Sequence, residues 1–312
     1  MPNRKEAAPF RWGVATMSMP LIEVLKDYYA PVKAISDRTV TIYGFTLKAF
    51  GEYLGEQDGS GYREPTTADL DQYVVARFLA WRLRKREPAT AAKDRSQLRA
   101  LWAFAWAEAL PGVARGPNVR PVVVPERVPV AWLEEEMRAL IISAGQEPGS
   151  ICGISAAAWW RSLLLTCFDT AERISATRSL RFDDIHGSLV VFKAEDRKGR
   201  RRDIARTISS DTAIAIDAIS SPTRSLVWPC DVGAPALYAR FDRILIRANL
   251  PTDRWSKFHR IRKTTASYYE AAGGSAQKLL DHSSPAVTRR YLDPRIVLQE
   301  AGDAPARLPK VS

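Results

Sequence analysis

Histidine and cysteine are scarce: the 312-residue chain holds three of each. His186, His259 and His282 are too few and too scattered for a histidine-rich metal centre, so neither a metal nor another cofactor is expected. Cys152, Cys167 and Cys230 form an odd set without a CxxC pair, which excludes a disulfide framework and suits a reducing compartment. Long apolar runs are missing too. The most apolar stretch, 156–168, is broken by Arg161, and the opening MPNRKEAAPFRWGVATMSMP carries early charge but no apolar h-region. A secretion signal and a membrane span are therefore not expected.

What the chain does have is positive charge. Lys and Arg number 46 against 35 Asp and Glu, a formal net charge of +11, and the hydrophobic share of 46% with 26% charged residues is ordinary globular composition. At roughly 150 residues per domain the length suggests two domains. The charge is clustered. Arg77, Arg82, Arg84, Lys85, Arg86, Lys93, Arg95 and Arg99 face only Glu87 and Asp94 in the same stretch. A second cluster, 195–206, holds Arg197, Lys198, Arg200, Arg201, Arg202 and Arg206, and a third holds Lys257, Arg260, Arg262 and Lys263. One basic helix face is ordinarily just solvated. Three clusters spread over two domains point to a polyanion, and double-stranded DNA is the expected partner, because Lys and Arg on phosphates release condensed counterions.

The pattern is mainly helical. Between residues 21 and 112 the apolar spacing predicts four helices, with Ile42, Phe45, Leu47, Phe50 and Tyr53 or Leu54 on the buried side of the second and Leu98, Leu101, Trp102, Ala105 and Trp106 on that of the fourth. Residues 1–20 precede this all-α domain. Pro111, Pro117, Pro121, Pro125 and Pro129 make 113–129 an extended linker, since proline cannot continue a helix. Residues 130–298 read as a second, mostly helical domain with a small β insertion. There GSLVVFKAEDRKGRRRDIARTIS predicts a hairpin turning near Gly199, and His186 falls in the turn before it. Trp102, Trp106, Trp159 and Trp160 are expected in the cores, and 299–312 forms a tail.

Three separated segments carry reactive residues: TAERISATRSLRFDDI, KFHRIRKTTASYY and LLDHSSPAVTRRYLDP. His259 and Arg262 are three apart at a helix start and so share a face. Tyr291 follows His282 by nine residues, beyond a Ser-Ser-Pro helix start that would place it about two turns into a new helix. These boxes resemble those of the tyrosine recombinase, or phage integrase, family. The match covers residues 130–298, and the helical region before it resembles the family's core-binding domain more loosely.

The resemblance implies a catalytic set of Arg173, His259, Arg262 and His282 around the nucleophile Tyr291, with a lysine on the hairpin. Lys198, beside Gly199, is the first choice for that lysine and Lys193 the second. It also implies site-specific cleavage and rejoining of duplex DNA through a 3′-phosphotyrosyl link, without ATP or metal, by a homotetramer on paired sites. A cytoplasmic location, on the nucleoid in a prokaryote, goes with this. The remaining basic residues, from Arg77, Arg82, Arg84, Lys85, Arg86, Lys93, Arg95 and Arg99 to Arg200, Arg201, Arg202, Lys257, Arg260 and Lys263, are expected to bind DNA. Two departures stand out: Asp281 occupies the family's usual Gly before the second histidine, and Ala176 replaces an acid three residues after Arg173. A non-catalytic DNA-binding relative and a type IB topoisomerase-like relaxing enzyme are the competing readings.

Overall fold

The computed structural model describes residues 17–197 and 202–300. Lys198, Arg200 and Arg201 lie outside the described residues, as does most of the expected tail. The chain divides into two compact units, Met1–Glu126 and Arg127–Ser312.

The first unit contains four helices: α1 (residues 21–33, π-helical over Val24–Tyr29), α2 (Asp37–Asp58), α3 (Gln72–Lys85) and α4 (Pro88–Ala107). Local signals set their ends. Ser36 caps α2 by accepting the Thr39 N–H at 3.3 Å, and Gly59, at φ 79°, closes it. Asp71 caps α3 by accepting the Tyr73 N–H at 2.7 Å, and Pro88 opens α4, where its missing N–H has no helical partner to lose. Phe50, Tyr53, Phe78 and Trp81 form one ring cluster beside the fully buried Leu98, Leu101 and Trp102.

Two aromatic residues expected in this core are outside it. Phe45 is 62% exposed because it lies about 140° around the helix from Phe50. Trp106 is 49% exposed; it sits in the last turn of α4 and rests against the returning chain at Gly116. A buried polar knot joins three helices: Asp94 on α4 accepts from Thr46 of α2 at 2.7 Å and from Arg82 of α3 at 2.7 Å. Residues 108–133 carry neither helix nor strand. Val113, Val119 and Val122 nevertheless pack on the first core, so part of the proline-rich stretch belongs to that unit.

The second unit runs through α5 (Glu134–Ala144), a two-strand ribbon β1 (Ser150–Ile151) and β2 (Ile154–Ser155), α6 (Ala156–Thr170) and α7 (Ile174–Arg178). A three-stranded antiparallel sheet follows, β3 (Ile185–His186), β4 (Leu189–Phe192) and β5 (Ile204–Thr207), in that order. Then come α8 (Ser210–Asp217), α9 (Ala234–Arg247), α10 (Phe258–Ala271), α11 (Ala276–Leu280), α12 (Pro285–Arg289) and α13 (Pro294–Glu300).

Helix α6 is the hub, packed against α5, α8 and α10. Trp159 and Trp160 point into the core, where Trp160, Phe241 and Phe258 stack with centroid distances of 5.7 and 4.4 Å. The hairpin forms as expected, with Val190 opposite Arg206 and Phe192 opposite Ile204. His186 is not a turn residue: it pairs with Leu189 in strand register, and Gly187, at φ 63°, makes the turn. The β1–β2 ribbon is too short to leave a periodic signal.

Candidate active site

Each box sits at a helix end, and the packing of α6 and α10 brings the ends together. Helix α6 stops at Ala171, whose left-handed φ of 52° turns the chain so that Glu172 is buried and Arg173 starts α7 as its N-cap. Buried Phe258 and Ile261 fix one face of α10, which leaves His259 at the exposed rim and turns Arg262 inward at 1% exposure. Asp281, at φ 54°, ends α11, and Asp tolerates this left-handed conformation better than most side chains. His282 follows, and Ser284-Pro285 begin α12. This helix ends at Arg289, so Tyr291 lies in the turn after it rather than two turns inside a helix. The turn is pinned: Ser267 donates to the Tyr291 carbonyl at 3.3 Å and accepts the Asp293 N–H at 2.8 Å, while the buried Asp293 carboxylate accepts the Ala131 N–H at 2.7 Å. With Pro294 starting α13, a five-residue helix is all that fits.

Four of the expected residues converge. The Tyr291 ring lies 4.9 Å from the His259 ring and 4.7 Å from the His282 ring, centroid to centroid, with the Arg262 guanidinium 5.8 Å away. Arg262 donates to the carbonyls of Ala171 and Leu280, the latter at 2.9 Å, and so ties the ends of α6 and α11 to α10. Its Nε is buried and, among the described residues, has no hydrogen-bond partner. His282 is held by Thr288, with Nδ1 3.2 Å from Oγ1, and its Nε2 is likewise buried and unpartnered among the described residues. Thr288 escaped the sequence reading because a threonine inside a short helix carries no signal of its own.

The electrostatics favour an anion. Partial desolvation of its ring along the cleft, and then the positive charges of Lys263, Arg262 and Arg173, push the His259 imidazole down to about 4. Burial, with Arg262 and Arg173, does the same to His282, also to about 4, against an opposing pull from Asp281. Both rings are therefore neutral at pH 7, each with one donor and one acceptor nitrogen. Burial lowers Arg262 to about 10 despite nearby Glu172, so it remains a cation. Arg173 completes the group: among the described residues its guanidinium has no hydrogen-bond or ion-pair partner, and it lines, with His259, Arg262, Arg254 and Lys257, an open cleft of about 510 Å³. Among the described residues no cluster of His, Cys, Asp or Glu could hold a metal ion.

Several of the basic residues expected on DNA have structural partners. Arg260 is turned into the protein, 3.5 Å over the Trp132 ring and bonded to Ser256 and to the Ala131 carbonyl, because its place on α10 faces α5 rather than solvent. Arg82 serves the Asp94 knot, and Arg95 donates to the Val119 carbonyl. Lys85 pairs with Glu56 over the Trp81 ring, Lys93 with Asp94, Lys257 with Asp242 and Arg202 with Asp281. Arg77, Arg84, Arg86 and Arg99 are exposed, and Lys263 is half-buried. Lys193, the second choice for the hairpin lysine, is bound to Asp184 at 2.8 Å.

A helical N-terminal unit followed by a helical unit that gathers Arg, His and Tyr from three chain segments is the architecture of the tyrosine recombinases. Comparison with protein families matches residues 22–109 to the phage integrase N-terminal SAM-like domain and residues 133–296 to the phage integrase family. The chain belongs to the phage integrase family and is a site-specific recombinase. Comparison with curated protein sequences gives no match. Among solved structures the fold is similar to that of XerH site-specific recombinase bound to a palindromic difH substrate, at TM-score 0.67 and 16% identity over 89% of this chain and 83% of that one. The Tn1549 transposon integrase in complex with a circular intermediate DNA gives 0.63 and 12% over 90% and 99%. A lambda integrase tetramer bound to a Holliday junction gives 0.62 and 17% over 95% and 81%. Among the described residues no helix is long and apolar enough to cross a membrane.

Proposed function

We propose that the Tyr291 oxygen attacks a phosphodiester of duplex DNA and forms a 3′-phosphotyrosyl link, which a 5′-hydroxyl later reverses to join new strands. The observation that carries this reading is the convergence of His259, His282 and Arg262 on the Tyr291 ring at 4.9, 4.7 and 5.8 Å. Attack places added negative charge on the non-bridging oxygens. Arg173 and Arg262 are planar donors suited to that charge, and the free Nε of Arg262 is the donor in reserve. His259, neutral and edge-on to the tyrosine, takes the phenolic proton. The electron pair of the breaking P–O5′ bond goes to the 5′-oxygen, which Lys198 protonates. Lys198 is favoured over Lys193 because Asp184 already holds the latter.

Arg77, Arg84, Arg86 and Arg99 of the first unit and Lys263 of the second track the DNA backbone. Four protomers assemble on two sites and exchange strands in pairs, within the cytoplasm and on the nucleoid of a prokaryotic host. The test is to incubate wild type and Tyr291→Phe in EDTA with nicked suicide duplexes from DNA flanking the gene. An SDS-resistant adduct with wild type alone is expected. Tight, salt-sensitive binding with no adduct would refute the catalytic reading, and relaxation of plasmids that lack any special site would favour a topoisomerase.

A further inference from the structure

The cleft lined by Arg173, His259 and Arg262 also takes in residues that the proposed cleavage does not use. It holds about 510 Å³, whereas a phosphate group fills only a few water volumes of about 30 Å³ each, so there is room for strand beyond the scissile phosphate. Tyr238, Arg254 and Lys257 line the remainder. Lys257 is paired with Asp242. Arg254 is different: it is exposed, and among the described residues its guanidinium has no hydrogen-bond or ion-pair partner. It lies 5.1 Å over the ring of Trp255, which is 53% exposed and stands 5.7 Å from the Arg127 guanidinium as well. Among the described residues Glu172 is the one carboxylate lining the cleft, and Arg197, Arg206 and Arg262 meet its charge at 3.2, 3.7 and 4.0 Å.

The turn that carries Arg254 is tied down. Asp253 accepts the Trp255 N–H at 2.6 Å and the Ser256 hydroxyl at 2.7 Å. Ser256 is fully buried, and its Oγ accepts in turn from Arg260 at 3.2 Å. Arg260 is itself fixed over Trp132, so the interior arginine anchors the turn while the exposed one is left at the cleft. We propose that Arg254 forms a second phosphate subsite of the cleft and binds the backbone phosphate next to the scissile one on the same DNA strand. A guanidinium whose turn is already ordered gives up less freedom on binding than one on a loose loop. The ring beneath it fits this role, because an aromatic face attracts the cation without using its N–H donors, which stay available for phosphate oxygens. The proposal rests on the reading of duplex DNA as the substrate of this site and adds the contact that sets the register of the strand there.

The test is a map of phosphate contacts by neutralisation. Binding is measured in the Tyr291→Phe background, so that no strand is cut, on duplexes from DNA flanking the gene in which one phosphate at a time is replaced by an uncharged methylphosphonate. Arg254→Gln should melt with the parent protein, lower the salt slope of binding by about 1 and weaken binding about three- to tenfold. Neutralising the phosphate that Arg254 holds should weaken the parent to a similar degree and leave Arg254→Gln unaffected, because the interaction is already gone. Arg173→Gln, mapped in the same way, locates the scissile phosphate, and the two positions should be neighbours on one strand. Parent-like binding by Arg254→Gln would overturn the proposal. So would coupling of Arg254 to no phosphate, to one that is not adjacent to that of Arg173, or to one on the opposite strand. Absence of an SDS-resistant adduct with wild type would instead strike at the cleavage reading alone, since this map needs no cleavage.

Discussion

Replacing Arg262 with lysine tests how the site is held together. Arg262 is buried, and its two Nη groups each donate to a backbone carbonyl, Ala171 at the end of α6 and Leu280 at the end of α11. Hydrogen bonds from a charged group contribute about 1.5–3 kcal/mol each. A lysine ammonium keeps the charge and can reach one of the two carbonyls, so the net loss is one such bond together with the poorer fit of a round ammonium in a planar slot. The expected destabilisation is about 2–3 kcal/mol, or a fall in Tm of about 4–12 °C for a unit of this size. Catalysis should suffer separately. Removing one donor to a developing oxyanion costs about a hundred- to a thousandfold in rate. Urea unfolding measures the first effect, and single-turnover cleavage at 20 °C, where the variant stays folded, measures the second. A variant that melts with wild type and cleaves within threefold of it would refute the claim that Arg262 both joins the chain segments and meets the phosphate.

Other consequences are equally checkable. The imidazoles of His259 and His282 sit near 4 in the folded protein, below the ordinary 6.5, so the unfolded chain takes up protons that the folded one refuses as pH drops from about 6.5 to about 4; stability falls across that window. Urea midpoints between pH 7 and 5 should show the decline and His259→Asn/His282→Asn should flatten it, whereas an NMR titration placing either ring near 6.5 would contradict the environment described. Thr288→Val removes the partner of His282 Nδ1 and should slow cleavage up to about tenfold without shifting Tm by more than about 4 °C, and an unchanged rate would show that His282 needs no such support. In the first unit, Asp94→Asn breaks a buried pair with Arg82 and should cost about 3 kcal/mol by urea unfolding. Arg84→Gln should instead leave stability intact and lower the salt slope of duplex binding by about 1; the same slope change from Arg260→Gln would mean that Arg260 is not the interior residue its contacts indicate.

The sequence by itself determined the helical character, the hairpin and the identity of four residues that the fold brings together, His259, Arg262, His282 and Tyr291, because these depend on local information. Apolar spacing set the helices, Ser-Pro and Asp starts marked their ends, and the order of Arg173, His259, Arg262, His282 and Tyr291 lay in the chain. What periodicity cannot decide is how far a helix remains covered by its neighbours, so it points Phe45 and Trp106 toward a core that does not reach them. Nor could it show that α12 stops before Tyr291, since that depends on Ser267 and Asp293 gripping the turn across 24 and 26 residues of chain. The use of each positive charge was also a tertiary matter. Arg82 and Arg260 look like surface cations in sequence, yet one closes a knot on Asp94 and the other lies over Trp132. Asp281 and Ala176 read only as departures in the sequence, whereas the fold places Arg197 between Asp281 and the buried Glu172. Charge is written in the chain, but its partners are chosen by packing, because a buried ion requires a counterion within a few ångströms and only the folded structure brings distant segments that close.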